Sequence, residues 1–510
     1  MAMKLLGIDT GTGGTRAVLL DETGRVVSSS TAEHAAISSS HPGWAEQYPD
    51  DWWRAACRAI PECLERAGVN PAEIAGIGLT GQMHGLVLVD KDSKVLRPSL
   101  IWCDQRTGAQ CKAITEKIGA GRLIGLTANP ALTGFTLPKI WWVQENEPLI
   151  WSRVHSILLP KDYIRFRLSG ARAIDVADAS GTLLLDVVNR KWSAPMIEAS
   201  RLSEDMLPRV FESPEVASCV SEEGARATGL RAGIPVVAGA GDQAAGAVGM
   251  GIVRPGAVSA TIGTSGVVFA ATASPFLDPH GRIHTFCHAV PNRWHVMGVT
   301  QAAGYSLRWF RDQFGAAPAA PGDPRRDPYD LLLDEAGQAP AGSDGLLWAP
   351  YLMGERTPHL DPLARGALVG LTATHRRAHV IRAILEGVAF SLRDTLTIFS
   401  ELKLPVESIR LGGGGARGAL WQQIQADVYG MTVDLVETEE GPAYGVALLA
   451  GVGAGVWASV EEACDKSVRV ATRVQPEKSH VALMNERYAA FRKLYPSLRG
   501  VMHDLASLPV

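Results

Sequence analysis

The chain has 510 residues, 46% hydrophobic and 20% charged, with a formal net charge of −4. That is too long for one ordinary core and rich enough for two or three domains. The acidic balance excludes a general binder of nucleic acid or membrane surfaces, because no basic excess exists to neutralise phosphates.

"KLLGIDTG", "TRAVLLDE" and "GRVVSSST" predict three short strands joined by Gly-rich turns, with Glu22-Thr23-Gly24 in the second turn. Asp50 or Asp51 is expected to cap a helix through Trp52, Trp53 and Ala56, and Pro61 to kink or restart it. "EIAGIGLTGQMHGLVLVD" reads as strand, tight loop, strand, and "VLRPSLIWCDQRT" as another strand ending in polar residues. Helical sequence dominates from about 105 to 170. "GIPVVAGAGDQAAGAVGMG" predicts a strand, a turn and a small-residue helix. "GAVSATIGTSGVVFAAT" then repeats the opening theme of strand, Gly/Thr turn and strand about 250 residues later. Two such units predict two domains of related fold, each opening on its own hairpin. "FGAAPAAPGDPRRDP" reads as a surface loop, "HVIRAILEGVAFSLRDTLTIFSELK" as a long helix and "SIRLGGGGARGALWQQIQADV" as strand, glycine run and helix, before a last helical pair over about 480–498.

Asp9 stands where the first strand meets "TGTGG". Backbone N–H groups of such a turn can surround a phosphate, and a carboxylate beside it would repel that phosphate unless a magnesium ion lay between them. The alternative is a plain Asp-Thr-Gly turn with no ligand. The second turn, Gly263-Thr264-Ser265-Gly266, favours the phosphate reading. No GK dipeptide occurs, so there is no P-loop. Gly239-Ala240-Gly241-Asp242-Gln243-Ala244 matches GxGxxA, but Asp242 would oppose a pyrophosphate there. Asp242 is a candidate general base toward a hydroxyl that attacks a phosphoryl group. A helix N-cap is the competing reading. Gly412, Gly413, Gly414 and Gly415 exceed what a turn needs and suggest a slot for a flat ring. Gln82, Met83 and His84 in "GQMHG", with Trp102, Asp104 and Arg106 in "WCDQR", suggest a sugar-hydroxyl pocket. The Trp-rich stretch 44–53 reads as packing, and Glu355 and Arg356 in "GERTPH" as a loop pair that can be a simple ion pair.

These pieces resemble the FGGY carbohydrate kinases over nearly the whole chain. The matches are "GIDTGTGGTRAVLL", "GQMHG", "IWCDQR", "LLPKDYIRFRLSG", "GAGDQAAGAVG", "IGTSGVVF", "YLMGERTPH", "LEGVAFSLRD", "LGGGGARGALWQQIQADV" and "EEGPAYGVALLA". "GQMHG" and "GERTPH" resemble the family's xylulose branch in particular. The resemblance implies an α/β fold of two ribonuclease-H-like domains, as in actin and hexokinase, flanking a deep cleft. Residues 1–245 would bind sugar and residues 246–510 nucleotide. It implies ATP and Mg²⁺, and transfer to the 5-hydroxyl of D-xylulose. Asp9 would serve the magnesium-phosphate site, with Asp242 near the same ion. Gly11, Thr12 and Gly13 would form one phosphate loop and Gly263 to Gly266 the other. Gly412 to Gly415 would hold adenosine. Gln82, Met83, His84, Trp102 and Gln243 would line the sugar pocket, and Asp242 would be the base. Gln243 departs from the Asn frequent in this branch and matches glycerol kinases. Another ketose or polyol (ribulose, a pentitol, glycerol) is therefore the first alternative, and a non-metabolic ATPase on the same fold the second. The partners implied are the sugar and ATP, with no nucleic acid or membrane; a homodimer is left open. "MAMKLLGID" is too short an apolar run for a signal peptide, no apolar run reaches 18 residues and no redox or zinc cysteine pair occurs, so a cytoplasmic, reduced setting is expected.

Overall fold

The opening alternation of apolar stretches and small-residue turns builds a meander. β1 (Lys4–Thr10), β2 (Gly14–Asp21) and β3 (Val26–Glu33) are successive antiparallel neighbours. The computed structural model describes residues 3–315, 327–438 and 440–508. The expected loop at 314–328 lies almost wholly outside them.

β4 (Ile74–Gly81) runs parallel to β1, and β5 (Pro235–Val237) parallel to β4. The first sheet therefore has the central order β3-β2-β1-β4-β5. The second sheet repeats it. β6 (Gly256–Ile262), β7 (Gly266–Thr272) and β8 (Trp294–Thr300) form the meander. β9 (Val406–Gly413) runs parallel to β6, and β10 (Val433–Val436) parallel to β9, giving β8-β7-β6-β9-β10. Three antiparallel strands followed by two parallel ones is the ribonuclease-H arrangement, present twice. The repeat legible in the two Gly/Thr turns is thus a repeat of the whole sheet.

The helix α1 (Pro49–Ala67) packs on the first sheet and departs from expectation at both marked points. Its N-cap is Tyr48, and Asp50 and Asp51 lie in its first turn without capping it. It also continues through Pro61. Trp52, Ala56, Ile60 and Cys63 are all buried on one face, and that burial offsets the hydrogen bond which proline cannot make. The Trp-rich stretch is packing, as read: Trp52 and Trp53 belong to the core. The long helix α3 (Arg377–Glu401) forms the spine of the second half. Two helices close the chain, Lys478–Phe491 and Leu494–Ser507.

Two smaller helices fix the base of the cleft. α2 (Asp242–Gly249) follows a short strand, Ala240–Gly241, that pairs with the end of β4. The helix α4 (Gly441–Gly453) comes from the far end of the chain yet lies directly on the first sheet. A β-carbon on Gly7 would stand 1.9 Å from the Ala443 carbonyl oxygen, and one on Gly78 1.9 Å from that of Val446. Only glycine permits this approach of helix backbone to strand. An apolar cluster spanning both halves, including Met83, Phe135, Phe269, Phe286 and Met297, underlies the cleft between the sheets. Among the described residues no helix is long and apolar enough to cross a membrane.

Candidate active site

Parallel strands in α/β sheets present ligands at their carboxyl ends. β1 ends at Asp9 and Thr10, which register with Thr80 and Gly81 of β4. Gly81 registers in turn with Gly241, the residue before Asp242. Three neighbouring strand ends thus bring together Asp9, the Gly11–Gly13 turn, the Gln82–His84 loop and Asp242.

A cavity of about 180 Å³ opens at this edge. Thr12 of the first turn and Ser265 of the second both line it, so the two hairpin turns face one space. Met83, His84, Trp102, Asp242 and Gln243 line it as well. Gln82 does not. It stands one step behind the wall, where its amide donates to Gln47 Oε1 at 2.8 Å and its oxygen accepts from the Thr12 hydroxyl at 3.4 Å. The indole of Trp102 is about one-third exposed and donates to Thr12 Oγ1 at 3.0 Å.

Asp104 and Arg106 also differ from expectation. They do not reach the cavity: Arg106 Nη2 holds Asp104 at 2.7 Å, Nη1 pairs with Glu46 at 2.8 Å, and the guanidinium lies 3.7 Å over Trp44. They staple the Trp-rich segment to the cleft wall. Glu355 and Arg356 are not a simple ion pair either. The Glu355 carboxylate accepts from the Thr300 hydroxyl at 2.6 Å and from the Gln301 and Arg356 backbone N–H groups at 2.9 and 2.8 Å. The Arg356 side chain turns to the cavity.

The cap reading of Asp242 loses its support. Gly241 is the N-cap of α2 and makes no side-chain cap bond, while Asp242 is the first helical residue. Its carboxylate accepts from the Gln243 side-chain amide at 3.3 Å, and the Gln243 backbone N–H also acts on it.

Residues 4–249 match the N-terminal domain of the FGGY family of carbohydrate kinases, and residues 258–454 match its C-terminal domain. The chain belongs to the FGGY family of carbohydrate kinases. It is 38% identical to the xylulose kinase of Bacillus subtilis (strain 168), over 99% of this chain and 99% of that protein. It is also 38% identical to the xylulose kinase of Escherichia coli (strain K12), over 98% and 99%. The crystal structure of a "xyloylose kinase from Brucella ovis" superposes with a TM-score of 0.90 at 36% identity, covering 98% of this chain and 100% of that one. As a member of this family the protein is an ATP-dependent sugar kinase of the two-domain, actin- and hexokinase-like fold.

The electrostatics of this FGGY kinase are those of a charged cleft kept short of water. Burial raises the Asp242 carboxyl to about 6. Asp9 is raised to about 7, first by burial and then by the Asp242 charge, with Arg16 opposing. Asp242 therefore ionises first and makes the second ionisation harder. Asp9 Oδ1 is buried and without a hydrogen-bond partner. A starved carboxylate oxygen facing a second carboxylate is a donor set that suits a hard divalent cation. His84 is kept neutral, lowered to about 3 by burial and by Lys139. Its Nδ1 lies 2.8 Å from the Gly181 carbonyl oxygen, so that nitrogen carries the proton and Nε2 is left as an acceptor. The buried Lys139 ammonium donates to the His84 and Gly134 carbonyls at 2.9 and 2.7 Å, tying two cavity walls together. Arg165, also buried, donates to the carbonyls of Val237 and Ala238 just ahead of the Asp242 turn.

The glycine run lies at the carboxyl end of β9, where Gly413 registers with Ile262 beside the second turn. Packing accounts for three of its four members. A β-carbon would lie 3.0 Å from Thr261 Oγ1 at Gly412, 2.5 Å from the Ile262 carbonyl oxygen at Gly413 and 2.6 Å from Ile262 Cβ at Gly415. Gly414 has open space, with its nearest neighbour at 3.9 Å. Gly266 is likewise a packing glycine, where a β-carbon would lie 2.7 and 2.8 Å from Thr300 and Leu392. Leu132, Gly134, Phe135, Val267, Met297 and Val299 also line the cavity and were not singled out from sequence. Met297 and Val299 alternate along β8, but the alternation alone does not say which face meets the cleft.

Proposed function

We propose that this kinase transfers the γ-phosphoryl group of ATP to the 5-hydroxyl of D-xylulose. The observation that carries the reading is Asp242. It is a carboxylate free of capping duty, in the wall of a sugar-sized cavity that two phosphate-type turns share. Support for the ketopentose comes from "GQMHG" in that wall and from the full-length similarity to proteins named xylulose kinases. In this reading Asp242 takes the proton of the 5-hydroxyl, and Met83, His84, Trp102 and Gln243 hold the sugar. Gln82 positions Thr12 from behind. The backbone of Gly11–Gly13 and Gly263–Gly266 receives phosphate oxygens, and the open face of Gly412–Gly415 receives adenosine. Residues 1–245 would form the sugar domain and 246–510 the nucleotide domain, with α4 bracing one against the other. Asp9 and Asp242 would hold Mg²⁺, which when bound neutralises charge on the phosphates. Seven free cysteines fit a cytoplasmic setting.

The deciding experiment is ADP production across D-xylulose, D-ribulose, pentitols and glycerol. The highest kcat/KM should belong to D-xylulose. A preference for glycerol or a pentitol would move the substrate assignment, and ADP release indifferent to sugar would replace it with the ATPase reading.

Two further outcomes follow from the geometry. A general base works deprotonated, and Asp242 is raised to about 6. At saturating Mg²⁺ and ATP, kcat/KM for the sugar should therefore fall about tenfold per pH unit as the pH drops below about 6. A profile still flat at pH 4.5 would exclude Asp242 as the titrating base. Second, Gly414→Val should raise the KM for ATP about tenfold or more with little change in the melting temperature, because its β-carbon meets only the Ile262 carbonyl oxygen, at an unstrained 3.9 Å. A variant with wild-type KM for ATP would remove the glycine run from the nucleotide site.

A further inference from the structure

Phosphorylation at the 5-hydroxyl dictates which form of a 2-ketopentose can react. Ring closure adds the O5–H group across the C2 carbonyl: the O5–C2 bond forms, the C2–O π bond breaks and the proton moves to O2. The furanose therefore has no free 5-hydroxyl. The reacting form is the open chain, which carries at C2 a planar oxygen that accepts hydrogen bonds and donates none.

Arg356 is the one cationic side chain lining the cavity among the described residues. It comes from the second half of the chain and reaches the opposite wall, where a β-carbon on Gly134 would stand 3.7 Å from its Nη2. Its neighbour Glu355 is taken up by Thr300, Gln301 and the Arg356 backbone, so its carboxylate acts on the guanidinium through charge alone and occupies none of its donors. Among the described residues the guanidinium makes no hydrogen bond or ion pair. It is a fork of donors held partly out of water, with burial acting against its charge. Such a group needs an acceptor when the cleft closes on substrate. Asp242 is not that acceptor: the two line one cavity without pairing, which sets the cation and the base apart.

We propose that Arg356 recognises the C2 carbonyl of the open-chain ketose and thereby sets the preference of the site for a ketose over the polyol made by reducing it. This rests on the substrate reading above. A carbonyl oxygen offers two lone pairs in one plane to the donor fork. Reduction makes that carbon tetrahedral and puts a hydroxyl hydrogen on the oxygen, so one donor of the fork loses its partner.

Calorimetric affinities for D-xylulose and xylitol, measured without ATP, test this on wild type, Arg356→Met and Arg356→Lys. The Met variant should bind D-xylulose about 10- to 100-fold more weakly and xylitol less than about 3-fold more weakly, so that the ketose preference collapses. The Lys variant keeps the charge but not the fork and should fall between; it also serves if the Met variant melts early. Equal losses for both ligands, or a defect confined to the KM for ATP, would overturn the assignment. Wild-type turnover of D-xylulose is run alongside. Its absence removes the substrate reading and this inference together. Its presence with an unchanged preference in both variants removes Arg356 alone.

Discussion

Asp242→Ala is expected to lower kcat on D-xylulose by about 10²–10⁴-fold, the usual consequence of removing a general base, in a protein that folds normally. The competing role predicts the opposite pattern. Loss of a helix cap would cost about 0.5–2 kcal/mol of stability and leave turnover nearly alone. Because Gly241 is the N-cap and Asp242 is already the first helical residue, the melting temperature should not drop. At pH 8 it should rise. Asp242 is raised above the ordinary carboxylate range, so the unfolded chain ionises this group more readily than the folded one. Stability is then lost as pH climbs from about 4 to about 6, and alanine abolishes that loss. Asp242→Asn, which keeps the shape and a partner for Gln243, should be as inactive as the alanine variant. Slow ATP hydrolysis without sugar should fall too, since water would use the same base. Sugar phosphorylation within about tenfold of wild type in a folded Asp242→Ala protein would sink the mechanism.

The sequence carried the fold through its repeated hairpins. "GIDTGTGGT" and "ATIGTSGVV" each place a strand end on a small-residue turn, and the two sheets built on them have the same strand order. Local chemistry sufficed there because a tight turn between two strands needs small residues at fixed positions. Properties that depend on distant packing were not legible. Pro61 breaks a helix by propensity, yet a buried face carries α1 through it. Gly412, Gly413 and Gly415 resemble a ligand slot, yet strand β6 fills the space where their side chains would stand. Asp104 and Arg106 lie two and four residues from Trp102, a cavity residue, but point into the Trp44 segment. Arg356 was visible as a charge beside a charge. Only the tertiary partners of Glu355 reveal that the guanidinium is unspent. Most of the apolar wall escaped notice because Val267, Met297 and Val299 look like any strand residues.

Asp9→Asn should separate stability from function more sharply than any other substitution. The wild-type carboxyl titrates at about 7 in the fold, against an ordinary value of 3.8, through burial and the nearby Asp242 charge. Well below its ordinary value of 3.8 the group is neutral in both states and contributes nothing. Between about 4 and 7 the unfolded chain gains ionisation that the folded chain resists, so stability falls across that window and stays low above it. Asparagine does not ionise and keeps what the wild type loses. At pH 8 without divalent cations the variant should be more stable by about 1–4 kcal/mol, toward the lower end because the group is partly solvated. The two melting curves should converge as the pH falls to about 3. Turnover should move the other way. An amide offers magnesium and the phosphates no charge, and the loss should reach about 10²-fold or more, the scale seen when a preorganised electrostatic group is removed. Mg²⁺ with nucleotide should therefore raise the melting temperature of the wild type and do so much less in the variant. Calorimetric affinity for D-xylulose should stay close to wild type, since Asp9 does not line the sugar cavity. An Asp9→Asn protein that melts below wild type at pH 8, or that turns over at near-normal rate, would show that the carboxylate is neither held under repulsion nor used for charge.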